Sequence, residues 1–265
     1  MSGVAGASAV AEYVALVEEY LAELADAGID VVPTLPVPVP RSTGHPVVYL
    51  VQPEQHPATL GHCLLATVDD ATLAEMIRRA LDPVAGLARR TAERSDGIEV
   101  ALDAQLSNWS FPASHGPDGP GDPVLFDVGT PFMRRRGEHV MRRDYLLGPV
   151  PAGIRTYYGR KGLVEAYLDD YFVPRTVALD LLGNFHKEGQ SDRLPLGIDV
   201  VNAWLATSEL PGPRHPTDLA EVESYYRKDA DLLALYLRLR RMDRFVRTKV
   251  LRRPYDYLLP GHVER

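Results

Sequence analysis

The sequence predicts an α+β protein whose short strands fall in the first half of the chain and whose second half is helical. Three observations carry this. An amphipathic helix opens the chain, short apolar runs bounded by Gly, Pro and Asp follow, and helical periodicity returns from Leu163 onward. At 265 residues and 45% hydrophobic content, the chain can build one or two lobes with a real core but not a string of domains.

Val10, Tyr13, Val14, Val17, Leu21 and Leu24 recur at helical spacing, with Glu12, Glu18, Glu19 and Glu23 on other faces and Gly28 placed to stop the helix. Residues 29–32 read as a short strand and the proline-rich 33–46 as an interruption of regular structure. The run 47–51 (VVYLV) reads as a buried strand. Asp69 or Asp70 can cap a helix carrying Leu73, Ile77, Leu81, Val84 and Leu87, which Pro83 is expected to kink or divide. Asp96-Gly97 signals a turn into a strand at 98–102. A second extended stretch at 107–111 and a strand at 124–126 flank the Gly- and Pro-rich loop 115–123, which suggests a hairpin. Helices are expected at 162–172, 175–185, 196–207 and 217–247, with no internal repeat.

The net charge of −7 argues against a nucleic-acid binder, which usually presents a basic surface to phosphates, and favours a small-molecule, peptide or protein partner. Cys63 is alone, so neither a disulfide framework nor a thiolate zinc cluster can form within the chain. There is no basic leader followed by an apolar run and no stretch of about 18 apolar residues, so the expected location is cytoplasmic with no membrane partner. The histidines show no H-x-x-x-H spacing and read as ordinary loop or surface residues.

Three polar residues stand at the ends of predicted strands. Asp103 follows the strand at 98–102, Asn108 lies five positions on, and Asp127 follows the strand at 124–126. Together they spell Asp103-Ala104-Gln105-Leu106-Ser107-Asn108 and Asp127-Val128-Gly129. This pattern resembles the catalytic loop and metal-binding turn of the aminoglycoside-phosphotransferase branch of the protein-kinase-like superfamily. The resemblance implies a kinase-like fold with a reduced amino-terminal lobe and hinge strand over 1–54, and a helical carboxy-terminal lobe over 55–265 containing the catalytic hairpin at 98–129. It implies phosphoryl transfer from ATP to a small molecule or peptide, with Asp103 as base and Mg2+ held by Asn108 and Asp127. Gln52 and Glu54 would lie near the adenine, and the helix at 10–27 would carry the glutamate that bridges the lobes. Arg134, Arg135 and Arg136, with Arg142 and Arg143, could grip phosphate or an acidic substrate, although solvated surface charge is the somewhat simpler explanation.

The departures from that family bear on function. The position two before Asp103 is Ala101, where the family often has a histidine that supports the metal-binding turn. The first lysine of the chain is Lys161, so none can precede the catalytic loop to hold the α and β phosphates. Asp and Asn also close strands and cap turns in any fold. Two further readings follow: a kinase-like fold repurposed for acid–base chemistry without ATP, and a pseudokinase-like binding subunit whose missing lobe is supplied by a partner chain or a second copy. The last should leave apolar surface where the upper lobe normally packs. Tyr157 and Tyr158 beside Arg160 and Lys161, and the group Tyr167, Tyr171 and Phe172, could line a pocket, though aromatics at helical spacing more often fill a core. The basic stretch 227–253, interleaved with Leu232, Leu235, Leu239, Met242, Phe245 and Val246, reads first as a packed helix with a basic outer face and second as a partner- or membrane-surface helix.

Overall fold

A computed structural model describes residues 7–40, 46–112, 121–142, 145, 162–252 and 255. Arg143, Tyr157, Tyr158, Arg160 and Lys161 therefore lie outside the described residues, as does most of the loop 115–123.

Helix α1 (Ala7–Asp26) buries Tyr13, Val17, Tyr20 and Leu24, which alternate three and four apart and so form one inward stripe. It ends as its glycine predicts. Gly28 takes φ 76°, its N–H donates to the carbonyl of Ala25 (2.9 Å), and the N–H of Ile29 donates to that of Leu24 (3.0 Å), the pair of bonds that closes a helix through a left-handed residue. The next segment is extended without forming a regular strand. The Val32 N–H donates to the Leu125 carbonyl (2.8 Å) and the Leu125 N–H to the Asp30 carbonyl (2.9 Å), a single parallel bridge at Val31.

The proline-rich stretch departs from expectation, for it contains strand β1 (Leu35–Val39), antiparallel to β2 (Val47–Val51). The N–H groups of a strand alternate between its two edges. Pro36 and Pro38, two residues apart, therefore lose donors from the same edge, and Leu35, Val37 and Val39 remain able to carry the ladder. Helix α2 (Gly61–Leu65) is one short turn. Helix α3 (Asp70–Glu93) is capped by Asp69, which accepts from the Thr72 N–H at 2.7 Å. It runs through Pro83 undivided, because the ring removes one backbone bond whereas Leu73, Met76, Ile77, Ala80, Leu81, Val84 and Leu87 keep both halves anchored in the core.

Strand β3 (Ile98–Val100) pairs with β6 (Met133–Arg135), which pairs with β7 (Glu138–His139), while β4 (Trp109–Ser110) and β5 (Val124–Leu125) form the expected hairpin. The strands at 98–102 and 107–111 are shorter than their sequence signal; residues 106–108 turn into a short 3₁₀ segment before β4. Helices α4 (Leu163–Asp170), α5 (Pro174–Lys187), α6 (Leu194–Thr207) and α7 (Leu219–Phe245) complete the described chain close to the predicted spans. Helix α5 is the central one and is buried along nearly its whole length. Gly197 lets α6 approach it, since a Cβ there would stand 3.0 Å from both Leu182 and Phe185. No described helix is long and apolar enough to cross a membrane.

Candidate active site

The two motif segments meet through the backbone. The N–H of Phe126 donates to the Asn108 carbonyl (3.0 Å) beside the β4–β5 pairing, and the Asn108 amide nitrogen donates to the Asp103 carbonyl (3.4 Å). The segments that carry Asp103, Asn108 and Asp127 are thus joined to one another. Asn108 is buried and Asp127, whose Oδ1 accepts from the Gly129 N–H at 3.2 Å, is exposed.

Helix α1 holds both segments from below. The Tyr20 hydroxyl donates to the Ala101 carbonyl (2.8 Å), two residues before Asp103, and the Tyr13 hydroxyl donates to the Gly129 carbonyl (3.0 Å) of the Asp127 turn. Both tyrosines are fully buried at i and i+7 on one face. Burial pushes the Tyr13 hydroxyl up to about 12 and raises that of Tyr20 further; the charges of Asp127 on both, and of Asp103 on Tyr20, act the same way. Both hydroxyls stay protonated donors. Helix α1 is thereby tied to both motif segments.

Asp103 leads into a buried polar network that includes residues from the helical half. Its Oδ1 accepts from the Gln105 N–H (3.0 Å), and the Gln105 side-chain amide donates to Asp180 on α5 at 2.5 Å while lying 3.4 Å from Asp103 Oδ2. Lys187, at the end of α5, reaches Gln105 Oε1 (3.4 Å), Asp180 (3.5 Å) and Asp229 on α7 (3.3 Å). Asn184 accepts from the Ser107 N–H (3.2 Å) and fixes the middle of the loop. Burial first, and then the nearby charge of Asp180, lift the Asp103 carboxyl to about 7 against the opposing pull of the Gln105 N–H, Lys187 and Asn108. Asp180 is raised as well, chiefly by desolvation, against the pull of Lys187. The Gln105 amide lies between the two carboxyls, and both hold their protons to a higher pH than an ordinary carboxyl. Tyr171 lies near enough for the charge of Asp103 to add to the upward shift that burial imposes on its hydroxyl.

A cleft of about 590 Å³ opens among the segments around β2, residues 60–62, Ser107 and Phe126, with Leu50, Gln52, Pro53, His62 and, from beyond α5, Glu188 in its lining. Gln52 is in its wall, but its amide is committed to Thr34 Oγ1 (2.8 Å) and the Phe126 carbonyl (2.6 Å), so it ties β2 to the Asp127 segment. Glu54 is exposed and is not among the lining residues. Among the described residues no three His, Cys, Asp or Glu side chains gather as a metal site. Asn108 and Asp127 therefore supply oxygens that could complete a cation's shell only together with a ligand's own.

The arginine cluster does not converge. Arg134 and Arg135 point to opposite faces of β6, as neighbours on a strand must. Arg134 pairs with Asp169 and Glu99 and lies 3.9 Å over the Phe172 ring, while Arg135 pairs with Glu19 of α1. Arg136 sits exposed in the β6–β7 turn with φ 52°, followed by Gly137 at φ 80°. Glu12, Glu19 and Glu23 of α1 are likewise spent on Arg142, Arg135 and Arg94.

Fold and site together describe a mixed α+β protein with a carboxyl-centred polar network and a cleft beside β2. The chain belongs to a family of unknown function, DUF6206, which it matches over residues 2–244. Neither the curated proteins nor the solved structures contain a match.

Proposed function

We propose that the chain is a kinase-like enzyme with a reduced amino-terminal lobe, transferring a phosphoryl group from Mg2+–ATP to a small molecule or peptide. The observation that carries this is the meeting of Asp103, Asn108 and Asp127 through the Asn108 bonds to both motif segments, beside a cleft whose wall includes the segment after β2 and Phe126. The order of elements supports the same reading: helix, strand into a hinge, catalytic hairpin, helical remainder. Asp103, with a carboxyl near neutrality, is suited to accept the acceptor hydroxyl's proton. Asn108 and Asp127 would hold Mg2+, which takes one or two protein oxygens and completes its shell from phosphates and water. When bound, that cation would neutralise phosphate charge.

A second reading, acid–base chemistry without nucleotide, is favoured by the cleft's charge. No lysine or arginine is among its lining residues, and Lys187 is engaged by Asp180 and Asp229 behind the loop. In that case Asp103 would exchange a proton with a neutral substrate, with Asp180 behind it in the buried network.

A thermal-shift titration of the wild type and Asp127→Ala, with ATP or ADP and with or without Mg2+, separates the two, since a ligand of the native state raises Tm. The phosphotransferase reading expects a Mg2+-dependent rise that Asp127→Ala abolishes. No rise at millimolar nucleotide rejects ATP use and leaves the second reading.

A further inference from the structure

Helix α7 is held by the body as far as Arg240. Val222 is fully buried, and Leu237 and Arg240 are nearly so. Over residues 241–252, where α7 ends and a π turn (Val246–Val250) follows, no residue is buried. Ten of these twelve residues are exposed, and they are of two kinds only. Met242, Phe245 (61%), Val246, Val250 (64%) and Leu251 are apolar, while Arg241, Arg244, Arg247, Lys249 and Arg252 are basic. The one acid of the segment, Asp243, pairs with Arg247 (3.1 Å). Helical spacing sorts the two kinds. Met242, Phe245 and Val246 stand three and four residues apart and share a face, with Arg244 behind it and Arg241 and Arg247 to its sides. The π turn preserves this order. The Leu251 N–H donates to the Val246 carbonyl five residues back (2.9 Å), and so wide a turn rotates the chain less per residue than an α turn does. Val250 and Leu251 therefore stay near the line of Val246 instead of drifting towards the arginines.

From this we infer that residues 241–252 dock the chain on the surface of an anionic lipid bilayer, with the apolar face among the acyl chains and the basic side chains among the lipid phosphates. Charge selects the occupant. The segment carries +4 in a chain of −7, which leaves the rest at −11, so an anionic bilayer attracts this end and repels the body. The large apolar side chains beside the basic ones need an apolar phase next to negative charge, and a bilayer offers both at every point of its surface without a shaped groove. The described surface of a second copy fits less well. Its exposed hairpin face at Leu35, Tyr49 and Val51 contains no acid, and Glu12, Glu19 and Glu23 of α1 are paired with arginines. A helix of this kind lies along the membrane and does not cross it, so it gives none of the long apolar signal by which a span is recognised; the expectation of no membrane partner rests on that signal alone. The inference does not depend on the chemistry proposed for the cleft.

Co-sedimentation of the full chain with lipid vesicles tests it. Vesicles of phosphatidylcholine with about 30% phosphatidylserine should pellet the chain at about 0.1 M salt, phosphatidylcholine alone should not, and about 0.5 M salt should weaken the binding several-fold. Phe245→Glu combined with Val250→Glu should lower the binding about tenfold or more, and so should Arg244→Glu combined with Lys249→Glu. All four residues are exposed, so both variants should keep the wild-type circular dichroism spectrum. Tyr49→Glu, on the hairpin face, should bind like the wild type. In Phe245→Trp the indole emission should move to the blue on phosphatidylserine vesicles, which reports entry into the apolar layer and not attraction of charge alone. No pelleting by phosphatidylserine vesicles, equal pelleting by phosphatidylcholine alone, unchanged binding in either double variant, or an emission that does not move would each overturn the inference. So would a self-association without vesicles, seen in sedimentation velocity, that Phe245→Glu with Val250→Glu abolishes.

Discussion

Asp103 is held in its protonated form to a higher pH than an ordinary carboxyl, and this has a measurable sign. Its folded value of about 7 lies above the value near 3.9 of an unfolded chain, so the folded state binds the proton more tightly. The resulting stability is fully present below pH 4 and is lost as pH rises through 7. Asp103→Asn keeps the neutral form at every pH. It should therefore be more stable than the wild type at pH 8 by about 1–3 kcal/mol, with the difference closing towards pH 4, as read from urea unfolding at the two pH values. A difference that grows on acidification would contradict the assignment. Tyr20→Phe removes a buried hydroxyl and strands the Ala101 carbonyl that accepts from it, which should cost about 1–3 kcal/mol in the same assay. Asp103, Asn108 and Asp127 were legible in the sequence because each falls at or near the end of a strand signal. Asp180, Lys187 and Asp229 were not, because they come from positions in α5 and α7 that look like any polar residue on a helix, and only tertiary packing brings them to Gln105. Tyr13 and Tyr20 carried a signal in their seven-residue spacing, but nothing local says that their hydroxyls, as well as their rings, do the work.

Among the elements, helices were read most accurately, since long amphipathic periods leave little ambiguity: the four predicted after Leu163 all form. The misreadings share a cause, a local rule overridden by the environment. Pro36 and Pro38 suggested a loop but fit a strand edge, and Pro83 suggested a break but lies in a helix whose apolar face is anchored on both sides. Pro83→Ala restores a backbone donor and should raise stability by about 1–2 kcal/mol, less than the full ~3 kcal/mol proline penalty because the native helix has already adjusted. A thermal melt showing a lower Tm would mean that the proline is relieving a packing constraint. The end of α7 also departs from expectation: Met242, Phe245 and Val246 are exposed together with Arg241 and Arg244, so the basic stretch is not a fully packed helix with one charged face.

At the scale of the whole molecule, the described residues form one main hydrophobic core and a small satellite cluster around Phe132 and Leu168, in a mixed α+β arrangement. The general class was legible from the placement of strand and helix periods. The arrangement of the cleft was not, because it depends on the pairing of the 30–32 segment with β5 and on Gln52 bridging to Phe126, contacts far apart in sequence. The central proposal is that Asn108 and Asp127, on the joined segments that follow Asp103, take a nucleotide-borne divalent cation. The most direct measurement is amide-resolved NMR of the 15N-labelled chain with paramagnetic Mn2+ replacing Mg2+, recorded with and without ADP. The account predicts that, with ADP present, the amide signals of Asn108, Phe126, Asp127 and Gly129 broaden first, and that Asp127→Ala removes the effect. Broadening centred elsewhere, or the same broadening in Asp127→Ala, would contradict it.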